Sequence, residues 1–104
     1  RALGRVQIET NDPALLQKAI KNLNIALNAD KTDTFTWRLL GTAYGKAGNF
    51  GKSSLALAEE ALLNRDPKNA LLHAKRAAAT FKKGTPDWLH AMDILQTMKN
   101  NKQK

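Results

Sequence analysis

Each of the three prolines in this chain stands directly behind a capping side chain: Asp12-Pro13, Asp66-Pro67 and Thr85-Pro86. An Asp or Thr oxygen can accept from the orphan N–H groups of a helix start. Proline at the first helical position gives up no hydrogen bond the helix needs. Asp33 or Thr34 offers a further start, and Gly48 and Gly84 stand where a helix can close through a left-handed residue. These marks predict about six helices, at roughly 2–10, 13–29, 34–47, 51–64, 67–82 and 86–99. Connections this short force successive helices to pack antiparallel. No strand alternation interrupts the pattern, so the expected fold is all-α.

Apolar spacing agrees. Leu16, Ile20 and Leu27 run beside Ala19, Leu23 and Ala26; Ala70, Ala74, Ala77 and Phe81 form a second stripe; Trp88, Met92 and Leu95 form a third, flanked by Ala91, Ile94 and Met98. Such three- and four-residue steps mark buried faces, and the many alanines imply closely approaching helices. With 42% apolar and 25% charged residues the chain is globular in composition. One repeat domain is expected over 1–99, followed by a polar basic tail at 100–104. The first residue is Arg1 rather than Met, the expectation for a piece of a longer protein.

The sharpest motif is Trp37-x-x-Leu40-Gly41-x-x-Tyr44. Trp37, Leu40 and Tyr44 share one helical face, while Gly41 leaves room for a neighbouring helix. After the Gly48-Asn49 turn, Ser53 and Leu57 take the facing small and large positions. The motif resembles the first-helix signature of tetratricopeptide (TPR) repeats. Ala19-x3-Leu23-x2-Ala26 and Ala70-x3-Ala74-x2-Ala77 resemble second helices of that family, although Lys31 stands where a closing proline is usual and the repeats are not clean copies. The resemblance implies an antiparallel helix-hairpin solenoid. More narrowly, Asn11-Asp12-Pro13-Ala14-Leu15-Leu16, Trp37-Arg38-x-Leu40-x-x-Ala43-Tyr44-Gly45, Leu55-Ala56-Leu57-Ala58-Glu59-Glu60-Ala61-Leu62 and Thr85-Pro86-x-Trp88-Leu89-x-Ala91-x-Asp93-Ile94-Leu95 resemble the C-terminal repeat domain of bacterial BepA-like zinc metallopeptidases. That likeness implies a periplasmic location and a docking role in outer-membrane protein assembly or quality control. The implied partners are unfolded or assembling clients and the protein's own protease domain. The HExxH catalytic motif of that family is absent from this sequence.

Chemistry within the chain is not expected. His73 and His90 fall on different helices without carboxylates at metal-ligand spacing, and each reads as a surface or boundary residue. Adjacent Glu59 and Glu60 point about 100° apart, so they cannot act as an acid/base pair; one is expected in solvent and one against a partner helix or groove. No cysteine is available for thiolate chemistry or disulfides. No metal and no cofactor is expected, and no apolar run reaches the roughly 20 residues of a membrane span.

A net charge of +8 could draw nucleic acid. Stacking, however, needs exposed rings, and Trp37, Tyr44, Phe81 and Trp88 are required for the core, leaving only Phe35 and Phe50. Peptide or protein binding is therefore the leading expectation. Phe35, Arg38, Leu39, Thr42 and Lys46 form one stripe on the Trp37 helix. By resemblance to TPR proteins, that stripe lines a binding groove; the alternative is that it packs on the helix before or after. The carboxylate clamp of chaperone-binding relatives pairs lysine with asparagine one turn on; Arg38 and Thr42 stand there instead, which disfavours a chaperone C-terminus. The alternatives are an intramolecular lid or brace for a catalytic domain and, less favoured, a basic nucleic-acid-binding helical domain.

Overall fold

The computed structural model describes residues 12–102, and five α-helices fill most of that span: α1 Pro13–Ala29, α2 Thr34–Lys46, α3 Phe50–Leu63, α4 Pro67–Thr80 and α5 Pro86–Lys102. The helix expected over 2–10 lies outside the described residues. Every described helix start is capped by a side chain. Asp12 Oδ1 accepts from the Ala14 N–H at 2.9 Å, and Asp33 Oδ1 from Phe35 and Thr36 at 3.1 and 3.3 Å. Asn49 caps α3 through the Lys52 N–H, Asp66 caps α4 through the Asn69 N–H, and the Thr85 hydroxyl takes the Trp88 N–H. Each such cap stabilises its helix by about 1 kcal/mol.

Two helix ends close in the same way. After α2, Gly48 takes φ +81°, its N–H donates to the Gly45 carbonyl, and the Asn49 N–H donates to the Tyr44 carbonyl. After α3 the pattern recurs on a residue that is not glycine. Arg65 adopts φ +56°, its N–H donates to the Leu62 carbonyl, and the Asp66 N–H donates to the Ala61 carbonyl. Both are Schellman closures, which satisfy orphan carbonyls and reverse the chain tightly. Helix α4 stops at Thr80, short of the expected residue 82, because Phe81 turns to extended backbone at φ −79°, ψ 150°. Helix α5 continues to Lys102 instead of ending at 99.

Successive helices pack against one another, and α3 also touches α5, giving a solenoid of helical hairpins with extents of 44 × 26 × 20 Å. The core lies in two clusters. Leu16, Ala19, Ile20, Leu23 and Leu27 of α1 meet Leu39, Leu40 and Ala43 of α2 and Ala56 of α3, with Phe35, Trp37 and Tyr44 half-buried at the edge. Leu55 and Ala58 of α3 meet Ala74 and Ala77 of α4 and Ala91 and Ile94 of α5. Ala70, Ala74 and Ala77 are all fully buried. Two expected core positions turn outward. Ala26 is exposed, and so is Met92, because α5 presents Ala91 and Ile94 to α4 with Leu95 and Met98 alongside.

The Trp37 motif folds into close contacts on both sides. Leu40 is 1% exposed. A Cβ on Gly41 would lie 2.8 Å from Leu57 Cδ2, and the Ser53 hydroxyl donates to the Gly41 carbonyl at 2.6 Å, so α2 and α3 touch almost backbone to backbone. Trp37 and Tyr44 lean instead toward the chain before them. Trp37 Nε1 donates to the Lys31 carbonyl at 2.8 Å, and the Tyr44 hydroxyl accepts from Asn24 Nδ2 of α1 at 3.2 Å.

Candidate functional site

The stripe expected on α2 is divided by the structure. Leu39 is buried in the first core cluster and has no free surface for a ligand, and Phe35 packs half-buried against the same cluster. The competition for apolar surface decides this: α1 lays five buried side chains against that side of α2. Arg38, Thr42 and Lys46 are exposed. The Thr42 hydroxyl donates to the Arg38 carbonyl within its own helix at 3.2 Å, and Lys46 sits in the last turn of α2, where a cation complements the helix dipole.

Arg38 opens onto a polar cleft of about 360 Å³ between α2, α3 and α4. Leu57 and Ala61 floor it; Glu60, Asn64, Asp66, Asn69 and His73 supply its polar lining. Arg38 Nε lies 3.5 Å from Glu60 Oε2. Asp66, held by the α3 closure and the α4 start, accepts from the Asn69 side-chain amide at 2.6 Å as well as capping the helix. His73 stands one turn beyond Asn69. Its Nδ1 is buried without a hydrogen-bond partner among the described residues. Burial holds the His73 imidazole below its usual pKa, and the Arg76 charge adds to this against smaller upward pulls from Glu60 and Asp66. The cleft thus presents a guanidinium, two carboxylates, two amides and an imidazole, drawn from α2, α3, α4 and the turn between α3 and α4. Such a set can exchange hydrogen bonds with peptide groups and hold side chains of either sign.

From this group the sequence offers Arg38 as a groove residue, and one of Glu59 and Glu60 as facing a partner helix or groove. Asp66 reads as helix punctuation and His73 as a surface or boundary residue, and Asn64 and Asn69 carry no signal of their own. The missed signal was the Asn69-x3-His73 spacing, which puts two polar side chains on one face of α4 beside the turn.

The paired glutamates also depart from expectation, since neither is simply solvated. Glu60 reaches back to Arg38 of α2, while Glu59 reaches forward to α5, its Oε1 2.6 Å from His90 Nε2. That hydrogen bond raises the His90 pKa, outweighing partial burial. Across the other side, Lys52 of α3 stands 5.8 Å over the Tyr44 ring and 3.6 Å from Asp87 of α5. Asn24, Tyr44, Lys52 and Asp87 therefore form a polar chain across four helices. Among the described residues no group of three or more His, Cys, Asp or Glu side chains could hold a metal ion, and no helix is long and apolar enough to cross a membrane.

Comparison with protein-family models, with curated proteins and with solved structures finds no match to this chain.

Proposed function

We propose that this chain is a non-catalytic TPR-type module that binds a protein or peptide segment, and that it serves as the docking domain of a larger BepA-like zinc metallopeptidase acting in outer-membrane protein assembly or quality control. The observation carrying the binding role is the Arg38 cleft, in which polar side chains from three consecutive helices converge on a hollow. Repeat solenoids bind along surfaces assembled from neighbouring helices in this way. The mixture of amides, both charges and a His73 Nδ1 that has no partner among the described residues favours an extended segment read through its backbone groups. The family assignment is supported by the Trp37-x-x-Leu40-Gly41-x-x-Tyr44 motif, whose Gly41 meets Leu57 at close range as that signature requires. A periplasmic location follows from the same resemblance.

The test is a titration of the labelled domain, followed by amide chemical shifts, with unfolded peptides from outer-membrane β-barrel strands. Saturable shifts should cluster at Arg38, Asn64, Asn69 and His73. Arg38→Gln and Asn69→Ala should each weaken binding by about 1 kcal/mol, roughly fivefold. Shifts confined to other faces, or affinities untouched by both variants, would remove the cleft from consideration.

A further inference from the structure

A second hollow, about 790 Å³, lies between α4 and α5. Leu71, Leu95 and Met98 form its apolar floor, all half-buried, and Lys68, Lys75 and Lys99 stand exposed around it. Among the described residues no acidic side chain lines the groove and no ion pair holds any of these three lysines. None of the groove's lining residues belongs to the Arg38 cleft.

We propose that this groove docks an acidic amphipathic helix of a partner protein, its apolar stripe on Leu71, Leu95 and Met98 and its Asp or Glu side chains against Lys68, Lys75 and Lys99. The charge pattern selects the partner. An apolar floor with cations on both walls complements a helix whose apolar stripe is flanked by carboxylates. A second copy of the chain is disfavoured, because two molecules of net charge +8 repel. An extended strand is disfavoured as well. The lining side chains offer it no hydrogen-bond acceptor, whereas a helix satisfies its own backbone and needs only an apolar seat. A helix laid there would also continue the stacking by which each helix of the solenoid rests on its neighbour. The inference does not rest on the cleft reading, since the two surfaces are separate.

The test uses two labelled peptides of about 16 residues, roughly four helical turns, with the same leucine stripe and either Glu or Lys flanks. Fluorescence anisotropy should show the unaltered protein binding the Glu peptide in preference to the Lys peptide, with the preference shrinking as salt is added. Lys68→Glu/Lys75→Glu/Lys99→Glu should lower affinity for the Glu peptide roughly tenfold, as three exposed ion pairs of modest strength combine, and should invert the preference. Leu71→Asn should weaken both peptides. If the triple variant loses its helical signal, the salt dependence with unaltered protein carries the test by itself. Equal binding of both peptides at low salt would overturn the proposal. So would unchanged Glu-peptide affinity in a folded triple variant, or a concentration-dependent dimer that the Glu peptide does not displace.

Discussion

Gly41→Ala sets two effects of known sign against each other. In an ordinary helix interior, replacing glycine by alanine stabilises by about 1 kcal/mol, because alanine has less backbone entropy to lose. Here the new Cβ would stand 2.8 Å from Leu57 Cδ2 and 2.9 Å from Leu57 Cγ, against an ordinary carbon contact of roughly 3.5–4.0 Å. Rotating the Leu57 methyls cannot relieve the approach to Cγ. Sliding α3 away would stretch the bond from the Ser53 hydroxyl to the Gly41 carbonyl. Overpacking of this kind costs about 1–3 kcal/mol, so the net effect should be a loss of about 1 kcal/mol. For a domain of this size that lowers Tm by roughly 4–8 °C. Leu57→Ala removes the obstructing atoms. Within that background Gly41→Ala should stabilise by about 1 kcal/mol, giving a coupling near 2 kcal/mol between the two sites. Urea unfolding followed by circular dichroism measures all four proteins. A Gly41→Ala protein more stable than the parent, or additive behaviour across the cycle, would refute the close approach of α2 and α3.

Three further outcomes are expected. Arg65→Gly should stabilise by about 1 kcal/mol, because Arg65 holds φ +56° where glycine meets no Cβ penalty; Arg65→Val should destabilise, and a stability unchanged by Arg65→Gly would count against the left-handed closure. Trp37→Ala should cost about 2–3 kcal/mol in chemical denaturation, below the roughly 3–5 kcal/mol of a fully buried ring because Trp37 is only half-buried, even though the change also removes its hydrogen bond to the Lys31 carbonyl. The His90 pKa is raised in the folded state, so the native protein binds the extra proton above the ordinary value of 6.5; its contribution is fully present below 6.5 and is lost as pH rises through the folded value. His73 is shifted the other way, and its contribution is lost as pH falls below 6.5. Melting curves should therefore show His90→Gln lowering Tm below pH 6.5, where the contribution is present, and converging on the parent as pH rises through the folded value.

The helix starts were legible because their cause is local. Asp12, Asp33, Asp66 and Thr85 cap residues two or three positions ahead, and nothing distant is needed to see it. The close pairing of Gly41 with Leu57 was legible for a similar reason, since a missing side chain inside an apolar stripe marks a near neighbour. Faces were harder. Periodicity identifies a stripe but not which helix will cover it, so Leu39 looked available until α1 was seen to claim it, and Met92 looked buried until α5 turned Ala91 and Ile94 inward. The cleft was least legible. Its residues come from three helices, and the turn that gathers them is made by Arg65, whose left-handed backbone carries no glycine to announce it.

The seam of Ala70, Ala74 and Ala77 along α4 bears on how the two ends of the solenoid share stability. Alanines allow intimate contact and surrender no rotamer freedom, yet each withdraws little apolar surface from water. At the other end, α1 sinks Leu16, Ile20, Leu23 and Leu27 into its cluster. In a one-dimensional stack, opening begins where the interface between neighbours is weakest. Amide protons of α4 and α5 should accordingly exchange with solvent through partial opening while those of α2 wait for global unfolding. The hairpin carrying the lysine-rimmed groove is then the part of the molecule whose order a bound helix would most increase.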